Sequence, residues 1–187
     1  HMENYKNFSD MQDAFVEFSN KVPFYGAVVA CDAHPVVKRV LKRVTRPCIT
    51  YGSKDSDYRA EDIVQMNDKI HFNAFYHKEK LGNIKLKMTG SHHVLNALAT
   101  IAVARHLDIP FKTIKSALGT FSGVKRRFEI LSKKGPIVVD DYAHHPVEIA
   151  ATIEGAKAGW PDRRIVVDLQ PHRYSRLADH YDGFIRT

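Results

Sequence analysis

Two polar clusters carry most of the residues in this chain whose side chains can do chemistry. The first runs Asp140-Asp141-Tyr142-Ala143-His144-His145-Pro146, and the second runs Gln170-Pro171-His172-Arg173-Tyr174-Ser175-Arg176. Each cluster follows an apolar segment typical of a strand, and open α/β sheets bind their ligands beyond the carboxyl ends of their strands. The density of acids, histidines and arginines predicts a site for an anionic ligand.

Each residue type suits a particular part of such a site. Asp141 at a strand end can bind a ribose hydroxyl or a metal-bound phosphate, or it can cap the helix that follows. His144 and His145 precede that helix, whose unpaired amides favour an anion; a metal site is less favoured because no third ligand has a diagnostic spacing. Arg173 and Arg176 can grip a phosphate or a carboxylate, or they can form surface ion pairs.

Two further segments contain candidate ligand-binding residues. Gly90-Ser91-His92-His93-Val94-Leu95-Asn96 is typical of a loop entering a helix, suited to hydrogen bonding a flat heterocycle or to capping that helix. Arg126 and Arg127 can reach phosphates or form ion pairs between domains. The chain has neither a G-x-x-x-x-G-K-[ST] loop nor a G-x-G-x-x-G loop. Any ATP chemistry must therefore use residues outside it.

The elements that position these residues begin with an α/β pattern. Ser9 and Gln12 form a plausible capping box for a first helix. Apolar runs at 26–31 and 47–51 flank a helix predicted to begin at Pro35 and to cover 36–44, which makes a parallel β-α-β unit. Alternating residues between 58 and 88 predict an antiparallel hairpin or meander with a turn containing Gly82.

Helices are predicted at 94–107 and from Pro110 to about Gly119. A second α/β unit is predicted from about residue 130, with strands at 137–141 and 164–169 around a helix at 146–158. A final helix is predicted from Leu177. Two parallel strands cannot cover both faces of a sheet, so this unit is expected to be truncated.

The composition restricts the class of protein. With 187 residues, 44% of them hydrophobic, the chain can bury a core. The net charge of +7 favours a polyanionic small molecule or a solvated surface, because no basic block with interleaved aromatics indicates nucleic acid. No membrane span or signal peptide is visible, which predicts a cytoplasmic protein without a membrane partner. Cys31 and Cys48 are predicted to be buried thiols.

The order of the motifs resembles the Mur ligase family. Besides the two clusters, the resemblance rests on Phe24-Tyr25-Gly26, Ile49-Thr50-Tyr51-Gly52, Gly90-x-His92-x-Val94-Leu95-Asn96-Ala97 and Gly123-x-x-Arg126-Arg127-Phe128-Glu129. The two clusters, with Gly159-Trp160-Pro161 between them, look most like the branch that joins L-alanine to UDP-N-acetylmuramate. The resemblance implies an ATP-dependent ligase of peptidoglycan precursor synthesis that forms an acyl phosphate and then an amide.

The resemblance also implies the domain organisation. Residues 1–129 would be the later part of the central ATP-binding domain, an α/β domain with a mixed sheet and a hairpin or meander. Residues 130–187 would be the N-terminal portion of a Rossmann-like C-terminal domain. Such a fragment is expected to be inactive alone, and its exposed apolar faces could drive non-native self-association.

The implied site residues are carried over position by position. Asn96 and His93 would contact the adenine of ATP, Arg127 its phosphates and Asp141 its ribose, although the family commonly has asparagine where this chain has His93. The residues expected to face the muramoyl and alanine substrates are His145, His172, Arg173 and Arg176. His1 would help bind Mg²⁺ if it is native and not a cloning scar.

Two alternatives remain open from the sequence. One is a Mur-type ligase that joins a preformed peptide to UDP-N-acetylmuramate with the same ATP chemistry. The other is a non-catalytic module that binds a nucleotide sugar or nucleic acid through its basic surface.

Overall fold

The computed structural model describes residues 4–171 and 174–187, apart from the side chain of Arg176. In chain order the elements within these residues are α1 (Phe8–Asn20), β1 (Val28–Cys31), α2 (Pro35–Leu41), β2 (Cys48–Tyr51), β3 (Tyr58–Met66), β4 (Lys69–Tyr76), β5 (Glu79–Leu86), α3 (Ser91–His106), α4 (Phe111–Thr120), β6 (Glu129–Ser132), β7 (Val138–Asp140), α5 (Pro146–Gly159), α6 (Tyr174–Asp179) and α7 (Tyr181–Arg186).

The first five strands form one mixed sheet in the order β1-β2-β3-β4-β5. β1 and β2 are parallel, with Val28 opposite Cys48, and β2 and β3 are parallel with Tyr51 opposite Tyr58. β3, β4 and β5 are joined by connections too short for a parallel crossover, so they form an antiparallel meander. The predicted α/β class, the parallel β-α-β unit and the meander are confirmed.

The alternating pattern that predicted the meander reflects which side chains are buried. Ile70, Phe72 and Ala74 along β4 are each 0% exposed, as is Ile84 in β5. Because successive side chains in a strand point to opposite faces, this spacing of two gives the sheet one apolar face.

Two compact units interleave along the chain. The first comprises residues 1–61, 73–82 and 95–114, and the second comprises 62–72, 83–94 and 115–187. Each candidate site residue from Asp140 onward, together with His93 and Arg127, lies in the second unit. The predicted domain boundary after residue 129 stays a prediction.

Two local predictions in the first half of the chain are wrong. Asn7, not Ser9, caps α1, because its side-chain oxygen lies 2.9 Å from the amide nitrogen of Asp10 and accepts its hydrogen bond. Gly82 lies within β5, and the turn before β5 falls at His77 and Lys78. A Cβ at Gly82, where φ is +146°, would come 3.1 Å from the ring of Phe111, which explains a glycine inside this strand.

The second α/β unit also differs from its prediction. β7 pairs antiparallel with β6, a strand that the pattern did not predict, with Glu129 opposite Asp140. The predicted strand at 164–169 is not formed among the described residues, and Val166 is 78% exposed there. A strand requires a hydrogen-bonded neighbour, and the described residues supply none at this segment, so the parallel pair predicted here is wrong.

Three smaller differences concern helix boundaries and thiols. α3 begins at Ser91, so the segment predicted as a loop is already helical, and the final helical region begins at Tyr174. Cys31 and Cys48 are free but half-buried, not buried as predicted. No helix in the described part of the chain has the length and apolar character needed to cross a bilayer.

Candidate functional site

Asp141 follows β7 and ties two loops together through its carboxylate. Its Oδ2 accepts a hydrogen bond from the amide of Phe128 at 2.8 Å, and its Oδ1 accepts one from the amide of Ala143 at 2.7 Å. Asp141 therefore does not cap α5, which removes the alternative interpretation of this residue. Each carboxylate oxygen keeps a second lone pair that can accept from a ligand hydroxyl.

His145 is the residue that caps α5. Its Nδ1 accepts a hydrogen bond from the amide of Val147 at 3.3 Å, so the neutral ring carries its proton on Nε2. Glu148 completes the capping box, because its Oε2 accepts from the amides of His144 at 3.0 Å and His145 at 3.2 Å. The predicted site residue His145 is thus held in one orientation by the start of its own helix.

Glu148 also belongs to the electrostatics of this region. Burial would raise the pKa of its carboxyl group, but the amide hydrogen bonds of His144 and His145 and the charges of His144 and Arg127 outweigh burial and lower that pKa. The carboxylate is therefore charged at neutral pH, and Arg127 lies near enough for its charge to act on it.

The neighbouring Arg126 and Arg127 have different surroundings. The Nε of Arg126 lies 3.8 Å from an oxygen of Asp140, and its guanidinium stacks over the ring of Tyr142 at 4.7 Å. The guanidinium of Arg127 makes no hydrogen bond or ion pair with residues 4–171 or 174–187. Arg126 therefore forms an ion pair within the second unit, and the predicted ion pair between domains stays a prediction. Of the two arginines, Arg127 is the one available to an anionic ligand.

The first turn of α3 contributes two imidazoles. His93 is 8% exposed, and burial lowers its pKa to about 4, with the charge of His92 adding to the effect and that of Asp141 opposing it. Burial likewise lowers the pKa of His92, where Asp141 opposes and Arg127 adds to the decrease. Both rings are neutral at pH 7, and Asp141 lies near enough to act on both.

His92 is packed tightly against the chain before it. A Cβ added to Gly90 would come 2.9 Å from its Nδ1, and this nitrogen is enclosed without a hydrogen-bond partner among the described residues. Buried polar atoms left unpaired are uncommon and often mark functional sites. Asn96, one helical turn after His92, lies on the exposed side of α3.

The structure therefore brings together part of the predicted site. Asp141 lies near enough to His93, and Arg127 near enough to His92, for their charges to act on these rings. Asn96, later in α3, belongs to the first unit. His1, His172 and Arg173 lie outside the described residues, and Arg176 lies in α6 with its side chain outside them. The roles assigned to these residues, and to those described, stay predictions.

The predicted Mg²⁺ site has no support from the described part of the chain. Residues 4–171 and 174–187 contain no group of three histidine, cysteine, aspartate or glutamate side chains arranged to hold a metal ion. The contribution predicted for His1 lies outside these residues, and no step is assigned to a metal here.

Three residues that matter to this site were not predicted from the sequence. His92 was noted only as part of a motif, although its position next to His93 was visible. Glu148 has the spacing of a capping box, but the cap is a histidine instead of the usual serine, threonine or aspartate. Gln65 lies in β3, and no local pattern connects it to the site.

The arrangement is suited to recognition more than to nucleophilic attack. A guanidinium with no partner in the described part of the chain can neutralise phosphate charge. A half-buried carboxylate can accept from a ribose hydroxyl, and neutral imidazoles can hydrogen bond a heterocycle. Together these groups fit a nucleotide whose phosphates also need contacts from elsewhere.

The chain is similar to known proteins over its whole length. Residues 1–104 match the model of the Mur ligase middle domain, and residues 126–186 match that of the Mur ligase, glutamate ligase domain. A UDP-N-acetylmuramate–L-alanine ligase of Sorangium cellulosum is 47% identical over 191 residues, covering 100% of this chain and 41% of the relative. One of Myxococcus xanthus is 46% identical, covering 96% and 38%.

A solved structure shows the same relationship. The UDP-N-acetylmuramate-alanine ligase of Thermotoga maritima has a TM-score of 0.80 at 29% identity, covering 100% of this chain and 40% of that chain. The chain thus spans about two fifths of the length of these relatives. Because the middle-domain model alone matches more than half of the chain, and the motif order had predicted this assignment, the chain belongs to the Mur ligase family.

Proposed function

We propose that this chain is part of an ATP-dependent ligase that joins L-alanine to UDP-N-acetylmuramate. The proposal is supported by relatives of that name that are 46–47% identical over 96–100% of the chain. It also agrees with the two clusters and with Gly159-Trp160-Pro161, which first pointed to that branch of the family.

The reaction consists of two group transfers. A carboxylate oxygen of UDP-N-acetylmuramate attacks the γ-phosphorus of ATP, forming an acyl phosphate and releasing ADP. The amine nitrogen of L-alanine then attacks the carbonyl carbon, the amide bond forms as phosphate leaves, and the amine loses a proton. The first step needs neutralised phosphate charge, and the second needs water kept away from the acyl phosphate.

Within this reaction we assign the residues around Asp141 and His93 to the binding of ATP. Arg127 would bind a phosphate oxygen, Asp141 a ribose hydroxyl, and His93 and Asn96 the adenine edge. The single observation that carries this assignment is the contrast between the two adjacent arginines, because Arg126 is engaged by Asp140 and Tyr142 whereas Arg127 is not. A guanidinium that has no partner among residues 4–171 and 174–187, beside a carboxylate and neutral imidazoles, fits a nucleotide better than it fits a structural ion pair.

The substrate side of the proposal rests on His145 and the second cluster. We assign His145 to this side because the cap of α5 holds its ring in one orientation. We assign His172, Arg173 and Arg176 to the same side, toward the muramoyl carboxylate and the L-alanine carboxylate. Mg²⁺ belongs to the proposal as the partner of ATP, bound by ligands beyond the described residues.

Matched arginine variants of the full-length ligase test the assignment. Arg127→Ala should weaken ATP binding by about tenfold to a hundredfold, because a charge-assisted contact to phosphate contributes roughly 1.5–3 kcal/mol. Arg126→Ala removes the same charge from the adjacent position and should change ATP affinity by less than about threefold. Equal effects of both substitutions in calorimetric titrations would refute the phosphate role of Arg127.

The amine substrate is tested separately. The full-length ligase should release phosphate from ATP with UDP-N-acetylmuramate when L-alanine is supplied, and not when a preformed peptide replaces it. The opposite preference would favour the peptide-adding alternative. Salt-sensitive binding to a non-specific DNA duplex, with no phosphate release under any condition, would instead favour the non-catalytic module.

A further inference from the structure

Gln65, near the end of β3, has a side-chain amide that binds two other segments of the second unit. Its Nε2 donates hydrogen bonds to Oγ1 of Thr89 and, at 3.0 Å, to the carbonyl oxygen of Gly155 in α5. Its Oε1 accepts from the amide of Gly90 at 3.1 Å. One planar group thus joins β3 to the turn before α3 and to the middle of α5.

The residues around this amide are buried and close together. Thr89 is 0% exposed, and its hydroxyl donates to the same Gly155 carbonyl at 2.8 Å. A Cβ at Gly155 would lie 3.3 Å from Cα of Gly90, so α5 packs directly on that backbone. One turn later, the amide of Asn67 donates to the carbonyl of Gly159 at 3.1 Å.

These contacts reach both segments that carry the candidate nucleotide site, the first turn of α3 and the loop before α5. The carbonyl oxygen of Gly90 accepts a hydrogen bond from the amide of His93 at 3.0 Å, so the position of Gly90 sets the first turn of α3. α5 begins at the cap His145, and the loop before it is held by Asp141. Gln65 therefore connects the first turn of α3, which carries His93, to α5 and the loop before it, which carries Asp141, although Gln65 itself lies in β3.

We propose that Gln65 is a positioning residue for the nucleotide site, which fixes the distance between the start of α3 and α5. This inference rests on the proposed function, because it takes the cluster around Asp141 and His93 to bind ATP. Gln65 acts through Gly90 and Gly155, and it does not touch the ligand. The position needs a glutamine because two donors and one acceptor are used on one neutral group.

Two substitutions separate the contributions of this amide. Gln65→Met keeps the length of the side chain and removes all three hydrogen bonds. Gln65→Glu keeps an acceptor for the amide of Gly90 but places an oxygen against the carbonyl oxygen of Gly155. It therefore removes mainly the hydrogen bond to α5. Gln12→Met is the matched control, because Gln12 lies in α1 and its side chain donates a hydrogen bond to the carbonyl of Phe8 in its own helix.

The full-length ligase is assayed for KM of ATP, KM of L-alanine and kcat, and ATP binding is measured by calorimetry without the amine. Gln65→Met should raise both KM and Kd for ATP by about tenfold, equivalent to the loss of one effective hydrogen-bonding contact, and should leave KM of L-alanine within about twofold. Gln65→Glu should raise the ATP constants in the same direction, and Gln12→Met should leave them unchanged.

Three results would overturn the inference. They are unchanged ATP constants in folded Gln65→Met, a fall in kcat alone that matches a reduced folded fraction, or an equal rise in the constants for ATP and L-alanine. If Gln65→Met does not fold, Gln65→Glu alone decides between the same outcomes. A wild-type enzyme that binds ATP but forms no amide with L-alanine would contradict the proposed function, and ATP calorimetry would still test Gln65.

Discussion

His93 allows a test of the site's electrostatics that needs no substrate. Its ring is 8% exposed, and burial lowers its pKa from 6.5 to about 4. In the unfolded chain the imidazole is hydrated and regains its ordinary pKa. The folded state therefore binds fewer protons than the unfolded state between pH 4 and 6.5, so stability is fully present above pH 6.5 and falls as the pH is lowered.

The magnitude follows from the two pKa values. Relative to pH 7.5, a group with a folded pKa of about 4 and an unfolded pKa of 6.5 lowers the free energy of unfolding by about 2 kcal/mol at pH 5 and about 3 kcal/mol at pH 4. His93→Asn replaces the imidazole with an amide that does not titrate. The variant should lack this part of the pH dependence.

Urea denaturation of the 187-residue chain and of His93→Asn, at intervals from pH 7.5 to pH 4, measures the difference. The difference in unfolding free energy between the two proteins should change by about 3 kcal/mol over that range, in favour of the variant at low pH. His106→Asn, at an exposed position of the same helix, is the control for replacing a histidine of α3 with asparagine. A difference for His93→Asn that stays flat with pH would refute the burial argument.

Substitutions at three further positions, with matched controls, test the packing and the caps of the second unit. Gly159→Ala should destabilise the chain by about 2 kcal/mol in urea titrations, because the added Cβ would lie 2.6 Å from the carbonyl oxygen of Asn67. Gly119→Ala in α4 is the control. Its Cβ would lie no closer than 3.8 Å to another atom, so it should be neutral or stabilising. Glu148→Ala should cost about 1 kcal/mol and Glu148→Gln much less, since glutamine can still accept from the two cap amides. Asp141→Ala should cost about 2 kcal/mol in thermal or urea unfolding, because two backbone amides lose their charged acceptor, and an unchanged midpoint would contradict those contacts.

Features with a local physical signal could be predicted from the sequence. The alternation through Ile70, Phe72 and Ala74 identified the meander because burial on one face of a strand recurs every second residue. Asp141 and His145 follow an apolar strand and precede a helix, as the sequence predicted, and their functional roles stay predictions. Both patterns involve residues that are close together in the sequence, so they are visible without knowledge of the fold.

Features set by distant contacts could not be predicted. β6 is short, and its partner lies beyond a loop, so nothing within Glu129–Ser132 distinguishes it from irregular chain. Gln65 occupies an ordinary position in a strand, and only the approach of α5 through Gly155 reveals its function. The segment at 164–169 shows the converse, because its apolar residues satisfy the pattern of a strand while no neighbour within the described residues pairs with it.

Two residues beside Arg127 depart from the backbone conformation that their residue types prefer. Arg126 and Phe128 have φ of 58° and 50°, whereas the other non-glycine residues with positive φ among those described are aspartate, asparagine or histidine, which tolerate this conformation better. The amides and side chains around them explain why this backbone persists: Asp141 accepts from the amide of Phe128, and Asp140 and Tyr142 hold the guanidinium of Arg126. With its two neighbours held in this way, the Arg127 guanidinium has no hydrogen bond or ion pair to any of the described residues. Local strain supported by surrounding contacts is expected where a protein positions a group for a ligand. The same contacts that make this turn unpredictable from its sequence therefore support Arg127 as the residue that binds phosphate.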